Sequence, residues 1–182
     1  VSVLFHFLGD PNGTEFFSRM SLASYGSERD TGHTGNFFNM LWAMPGVAQS
    51  GPQATGAWMK EFGAWYFDLA RRWDGSFPHQ GPPEPGHDSY ANWDCTGAYL
   101  LAYAMPLRKI LLTGKESGVA PQVDAAAAQA LILDGRGWNN QDRTSFYDGL
   151  KDDQLLDRLR SWSPVVRERA ALACASLQDT TL

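Results

Sequence analysis

Apolar positions along this chain recur mainly at helical spacing. The clearest run lies in 58–73, where Trp58, Phe62, Trp65, Tyr66, Leu69 and Trp73 follow one another mostly at intervals of three and four, predicting a long amphipathic helix. Between 36 and 48, Phe37, Phe38, Leu41, Trp42, Met44 and Val47 cover more than one face, which predicts a deeply buried helix, shortened or kinked near Pro45. A third helix is expected over about 94–112 through Tyr99, Leu100, Tyr103, Leu107, Ile110 and Leu111, with Gly114 free to take a left-handed cap. The alanine-rich stretch 124–133 predicts a fourth. Two short helices follow near 152–160 and 164–177, the second opened by Pro164. Residues 1–9 fit either a short strand or a helix end, and Asp10-Pro-Asn-Gly13 reads as a turn. The polar stretches 26–35 and 78–92 carry no period and read as loops.

Composition supports a packed core and narrows the partners. Of 182 residues, 43% are hydrophobic and 13% aromatic, enough for one domain, or one domain with a small appendage. A formal charge of −5 and a pI near 5.3 argue against a nucleic-acid partner, which needs clustered Lys and Arg. The basic stretch from Arg158 to Arg169 is diluted by Glu168 and by Asp152, Asp153 and Asp157. No run approaches the roughly 18 apolar residues of a membrane span, and no basic and apolar leader opens the chain. Localisation stays open, an exported bacterial protein being one reading. The chain starts at Val1, directly with apolar residues, as expected of a segment cut from a larger protein. Cys95 and Cys174 leave pairing, free thiols and metal binding all open.

The order of helix, glycine-rich loop, helix, Trp73-Asp-Gly-Ser-Phe77, loop and helix over residues 20–114 resembles the α/α-toroid superfamily that includes terpenoid cyclases and protein prenyltransferases. The stretch Gly32-His-Thr-Gly-Asn-Phe-Phe-Asn-Met-Leu-Trp42 is similar to a group of uncharacterised bacterial proteins of this architecture. From Asp153 to Ala173 the chain resembles one HEAT-type repeat, whose second helix opens with Pro-x-Val-Arg. A solitary repeat of that kind must dock on something to bury its apolar face. The resemblances imply a mainly α fold, with an incomplete α/α-toroid-like domain over 1–118 and a helical extension with a HEAT-like pair over 119–182.

The enzymes of that superfamily do not carry over. An Asp-x-Asp-Asp motif is absent, and Asp152-Asp153-x-x-x-Asp157 is one residue too long for the metal-binding Asp-Asp-x-x-Asp, so those acids are expected to cap a helix. Asp94 and Cys95 are adjacent, and on a helix they would point about 100° apart instead of converging on zinc. No metal or cofactor is therefore expected, although Cys95 with His79 or His87 is an imaginable zinc pair. Gly-x-Ser-x-Gly is also absent.

Two polar clusters remain. Glu28, Asp30 and His33 share a glycine-rich loop and are the candidates for general acid or base chemistry, against capping and backbone bonding as the plainer roles. Around the long loop lie Trp73, Asp74, His79, His87, Asp88, Trp93 and Asp94, which could line an aromatic, acidic cleft for a ligand such as a sugar or peptide, or simply build turns. The leading expectation is a binding or scaffolding module of a larger bacterial protein, meeting a protein or glycan. The alternative is a carbohydrate-active enzyme using the loop carboxylates. Solvated carboxylates engaged in turns favour the first; a perturbed carboxylate in an aromatic cleft favours the second.

Overall fold

A computed structural model describes residues 1–24, 37–79, 93–115, 120–137 and 146–177. The fold is mainly helical, and no strand occurs among the described residues. Helix α1 (Ser2–Leu8) resolves the ambiguity at the N-terminus in favour of helix. It ends at Gly9, whose φ of 77° supplies the left-handed cap, with Gly9 N donating to His6 O at 3.1 Å and Asp10 N to Phe5 O at 3.0 Å. Asp10 then opens a helix instead of making an isolated turn. Its carboxylate accepts from Gly13 N at 3.0 Å, and Pro11 sits in the first turn, where its missing N–H costs nothing, so α2 runs Pro11–Leu22.

Helix α3 (Phe37–Val47) continues through Pro45 without ending there. Its buried face is Met40, Ala43, Met44 and Val47, whereas Phe38 and Trp42 are exposed, so it has a wet side that its apolar composition does not announce. A single 3-10 turn (Ala48–Ser50) leads to Gly51 and α4 (Pro52–Phe62).

The expected long helix over 58–73 is broken into pieces. After Phe62 the backbone widens into a π-helical turn (Gly63–Phe67), then tightens into a 3-10 turn (Asp68–Ala70), and Arg71 is extended. A π turn holds more residues per turn and moves every later side chain off the original face. Phe67 and Ala70 therefore point inward, while Leu69 and Trp73, apolar positions of the expected helix, stand 66% and 98% exposed. Helix α5 (Thr96–Ala104) also stops short of the expected 112. Pro106 cannot donate to Ala102 O, a 3-10 turn (Met105–Leu107) follows, and Arg108 takes a left-handed conformation with φ 54°.

The main core is aromatic. Trp58 packs on Phe62 at 4.8 Å between ring centroids, and Phe67 meets Tyr99 at 5.1 Å, with Phe77 5.6 Å from the same Tyr99 ring. Tyr103 reaches out of α5 to bond the Asp68 carboxylate. Helix α6 (Ala125–Asp134), N-capped by Asp124, packs on α4 and contributes Ala128, Leu131 and Ile132 to this same core, so the core crosses position 118. Helices α7 (Asp152–Arg158) and α8 (Pro164–Ser176) pack on each other around Tyr147, Leu155 and Ala170. Asp152 and Asp153 occupy the first turn of α7, where the helix dipole favours them. Trp162 joins this smaller cluster to the larger one: its ring meets Phe16 of α2 at 6.1 Å and its indole N–H donates to Asp134 at 2.8 Å.

Helices α2 and α3 cross closely through small polar residues. Ser18 donates to Gly46 O at 2.8 Å and also bonds Ser50, and a Cβ added at Gly46 would lie 2.8 Å from Ser21 Cβ. Gly46→Ala should therefore cost about 1–3 kcal/mol by overpacking. Adding Ser21→Gly should recover part of the loss, which thermal denaturation of the single and double variants will show.

Candidate functional site

The second polar cluster is built by two short segments that pair after the helices end. Residues 71–76 fold back on themselves: Arg72 N donates to Ser76 O at 2.8 Å and Gly75, at φ 85°, closes the turn by donating to Arg72 O at 3.0 Å. Asp74 fixes this turn from within, its Oδ1 accepting from Ser76 N at 2.9 Å and Ser76 Oγ at 2.7 Å. The chain then runs antiparallel to 93–95, with His79 N donating to Trp93 O at 2.8 Å and Cys95 N to Phe77 O at 2.9 Å, around a Pro78–Asp94 bridge. Asp94 repeats the device, accepting from Thr96 N at 2.9 Å, while the Thr96 hydroxyl accepts from Phe77 N at 2.9 Å. Thr96 also begins α5, so the pairing holds the start of that helix against the 71–79 segment.

Electrostatics follow from these bonds. Asp74 is held below the usual carboxylate range by its two Ser76 bonds, with help from Arg72. Asp94 is held down by Thr96, against a small opposing push from Asp74, so the two carboxylates sense each other. Both are exposed, and both are anions at neutral pH. Cys95 is the reverse: burial, then the Asp94 charge, push its thiol up to about 11. It is protonated at neutral pH, and no group of three or more His, Cys, Asp and Glu placed to hold a metal ion occurs among the described residues.

Of the sequence candidates, Trp73, Asp74, His79, Trp93 and Asp94 belong to this paired turn. Trp73 is 98% exposed and Trp93 about half exposed, whereas His79 is buried. Glu28, Asp30, His33, His87 and Asp88 lie outside the described residues. Of the partners that define the state of both acids, sequence reasoning took Ser76 only as part of the Asp-Gly-Ser-Phe turn and passed over Thr96. The Asp-x-Ser and Asp-x-Thr spacings of 74–76 and 94–96 were the available signal.

Taken together, these features define an all-α protein with an acidic and aromatic paired turn standing at the edge of its helical core. The chain belongs to the family described as Domain of unknown function (DUF6288), which matches residues 1–114, from α1 through α5 and including the paired turn. No curated protein and no solved structure matches the chain. Among the described residues, no helix is long and apolar enough to cross a membrane.

Two measurements check this site. A depressed carboxylate supports its turn above the ordinary aspartate range and releases it only as pH falls through the lowered value. In an NMR pH titration, Asp74 and Asp94 should accordingly show midpoints below 3.8, and midpoints at or above it would mean that the Ser76 and Thr96 bonds are not held in solution. With dithiodipyridine, the half-buried Cys174 should react first, since about one Cys95 in a thousand is thiolate at pH 8; reaction of both at one rate contradicts the buried placement.

Proposed function

We propose that this chain is a binding module that offers the paired turn of 71–79 and 93–96 to a protein or glycan partner, within a larger bacterial protein or assembly. The observation that carries the reading is the contrast at Trp73 and Asp74. A large indole stands 98% exposed beside a carboxylate whose oxygen is engaged by the turn. Exposed Trp on a short, internally bonded turn suits recognition, because little side-chain or backbone freedom is lost on contact. A general acid needs a raised pKa, and Asp74 and Asp94 are both lowered, which speaks against the carbohydrate-active enzyme for these two residues.

We also read the helices of 1–118 as an incomplete α/α-toroid-like unit, and 119–182 as its helical extension carrying a HEAT-like pair. Support for the first comes from the Asp-Gly-Ser-Phe turn closing one helix and preceding the next. Support for the second comes from Pro164 in the first turn of α8, behind the N-cap Ser163, and from the small Ala170 packed against α7.

Glycan and peptide arrays probed side by side with the full chain and with Trp73→Ala test the module reading. Signals on at least one class should fall by about tenfold, the loss of one aromatic anchor. The melting temperature should be unchanged, because Trp73 buries almost nothing. Equal array signals from both proteins would place recognition elsewhere. Release of reducing ends by the full chain, abolished by Asp74→Asn, would replace the module with the enzyme.

A further inference from the structure

On another part of the molecule, a cleft of about 510 Å³ lies between α1, the turn after α3 and the irregular segment that follows α5. Its size falls within the range of small-molecule sites. The apolar part is Met105 with Ile110, Leu111 and Leu112, the last three 37%, 46% and 42% exposed although they are consecutive aliphatic residues. The polar part is His6, Gln49, Thr113, Arg108 and Lys115. Among the described residues, two basic side chains therefore line the cleft and no carboxylate does, in a chain whose net charge is −5.

Both cations are set in place by the backbone. Lys115 Nζ donates to His6 O at 2.9 Å and Phe7 O at 2.7 Å, so it sits on the C-terminal carbonyls of α1 and neutralises the negative end of that helix at the cleft wall. The wall is tied further by Thr113 Oγ1 and His6 Nδ1, 2.9 Å apart. Arg108 is the non-glycine residue with positive φ among those described, at 54°. A left-handed arginine costs about 1 kcal/mol or more where glycine would cost nothing; strained residues of this kind collect at ligand sites. Among the described residues, its guanidinium makes no ion pair or hydrogen bond. A cation held in a strained backbone over an aliphatic floor has the complement of a molecule with an anionic head and an apolar tail.

We propose that this cleft binds a small amphiphilic anion, such as a medium-chain carboxylate. The head group lies between Arg108 and Lys115, and the tail covers Ile110, Leu111 and Leu112. This site is separate from the paired turn and does not depend on the binding reading given above.

Decanoate is the probe, titrated calorimetrically into the full chain, with acetate as head without tail and decyl maltoside as tail without charge. Decanoate should bind, and each control should bind at least about tenfold more weakly, because each lacks one half of the complement. Arg108→Gly removes the cation and also the left-handed strain, so the melting temperature should hold or rise while decanoate affinity falls by about tenfold, the worth of one charge-assisted contact. Leu111→Asp, at a half-exposed position, should weaken decanoate further by adding a like charge. Trp73→Ala should bind decanoate as the unaltered chain does. Absence of decanoate binding, equal binding by Arg108→Gly, or equal binding of decyl maltoside would each overturn the proposal.

Discussion

The close approach of α2 to α3 is the constraint on which the arrangement of the other elements depends. Two helices with ordinary side chains at a crossing stand 8–10 Å apart; here Gly46 presents bare backbone to Ser18 and Ser21, and the Ser18 hydroxyl takes the Gly46 carbonyl directly. That bond answers a specific need. Gly46 lies in the last turn of α3, where carbonyls lack N–H partners within the helix, and a carbonyl turned toward a neighbouring helix in a buried seam must find a donor there. The same Ser18 bonds Ser50, and Ser50 O accepts from Val123 N at 3.0 Å, so one short polar chain links α2, the end of α3 and the entry to α6. Glycine at 46 is thus required by space, and serine at 18 by hydrogen bonding.

With that seam fixed, the aromatic core takes over on the other side of α4. The π turn at 63–67 decides which aromatic residues are core and which are surface. Without it, an unbroken α-helix would bring Leu69 and Trp73 back to within about 20° and 60° of the Trp58 face, and so inward. With it, Phe67 and Ala70 close the core against Tyr99, and Trp73 is delivered to solvent at the head of the paired turn. Fold and candidate site are in this way two consequences of one irregular turn. Thr96, which receives Phe77 N and gives its own N–H to Asp94, couples that turn to the start of α5.

Much of the helical content was legible in the sequence, because period and caps agree. Asp124 and the alanines give α6, and Ser163-Pro164 gives the start of α8, each with its cap bond observed. What was not legible came from local exceptions whose causes are tertiary or involve a single residue. A π turn leaves no compositional mark, so the aromatic period of 58–73 was read as one face. Pro106 did carry a mark, and it outweighs the aliphatic positions Leu107, Ile110 and Leu111 that argued for continuing α5. The candidate site was legible as a set of neighbours but not in its chemistry. Trp73, Asp74, His79, Trp93 and Asp94 do come together, yet the state of the two acids is set by Ser76 and Thr96, hydroxyls two residues on that look like ordinary turn residues.

The family match ends at residue 114, but the physical unit does not. Helix α6 lies beyond it and packs Ala128, Leu131 and Ile132 into the core that Trp58 and Phe62 begin, while Gln122 lies close over Gly51. An aromatic face such as that of α4 cannot stay open to water without a partner, since burying each large side chain is worth about 1.5–3 kcal/mol. Residues 1–114 therefore need a covering element, and in this chain α6 supplies it. The C-terminal pair in turn hangs from α6: Asp134 at its end takes the Trp162 indole N–H and pairs with Arg158 at 3.8 Å, and Arg158 lies over the Phe146 ring at 4.9 Å.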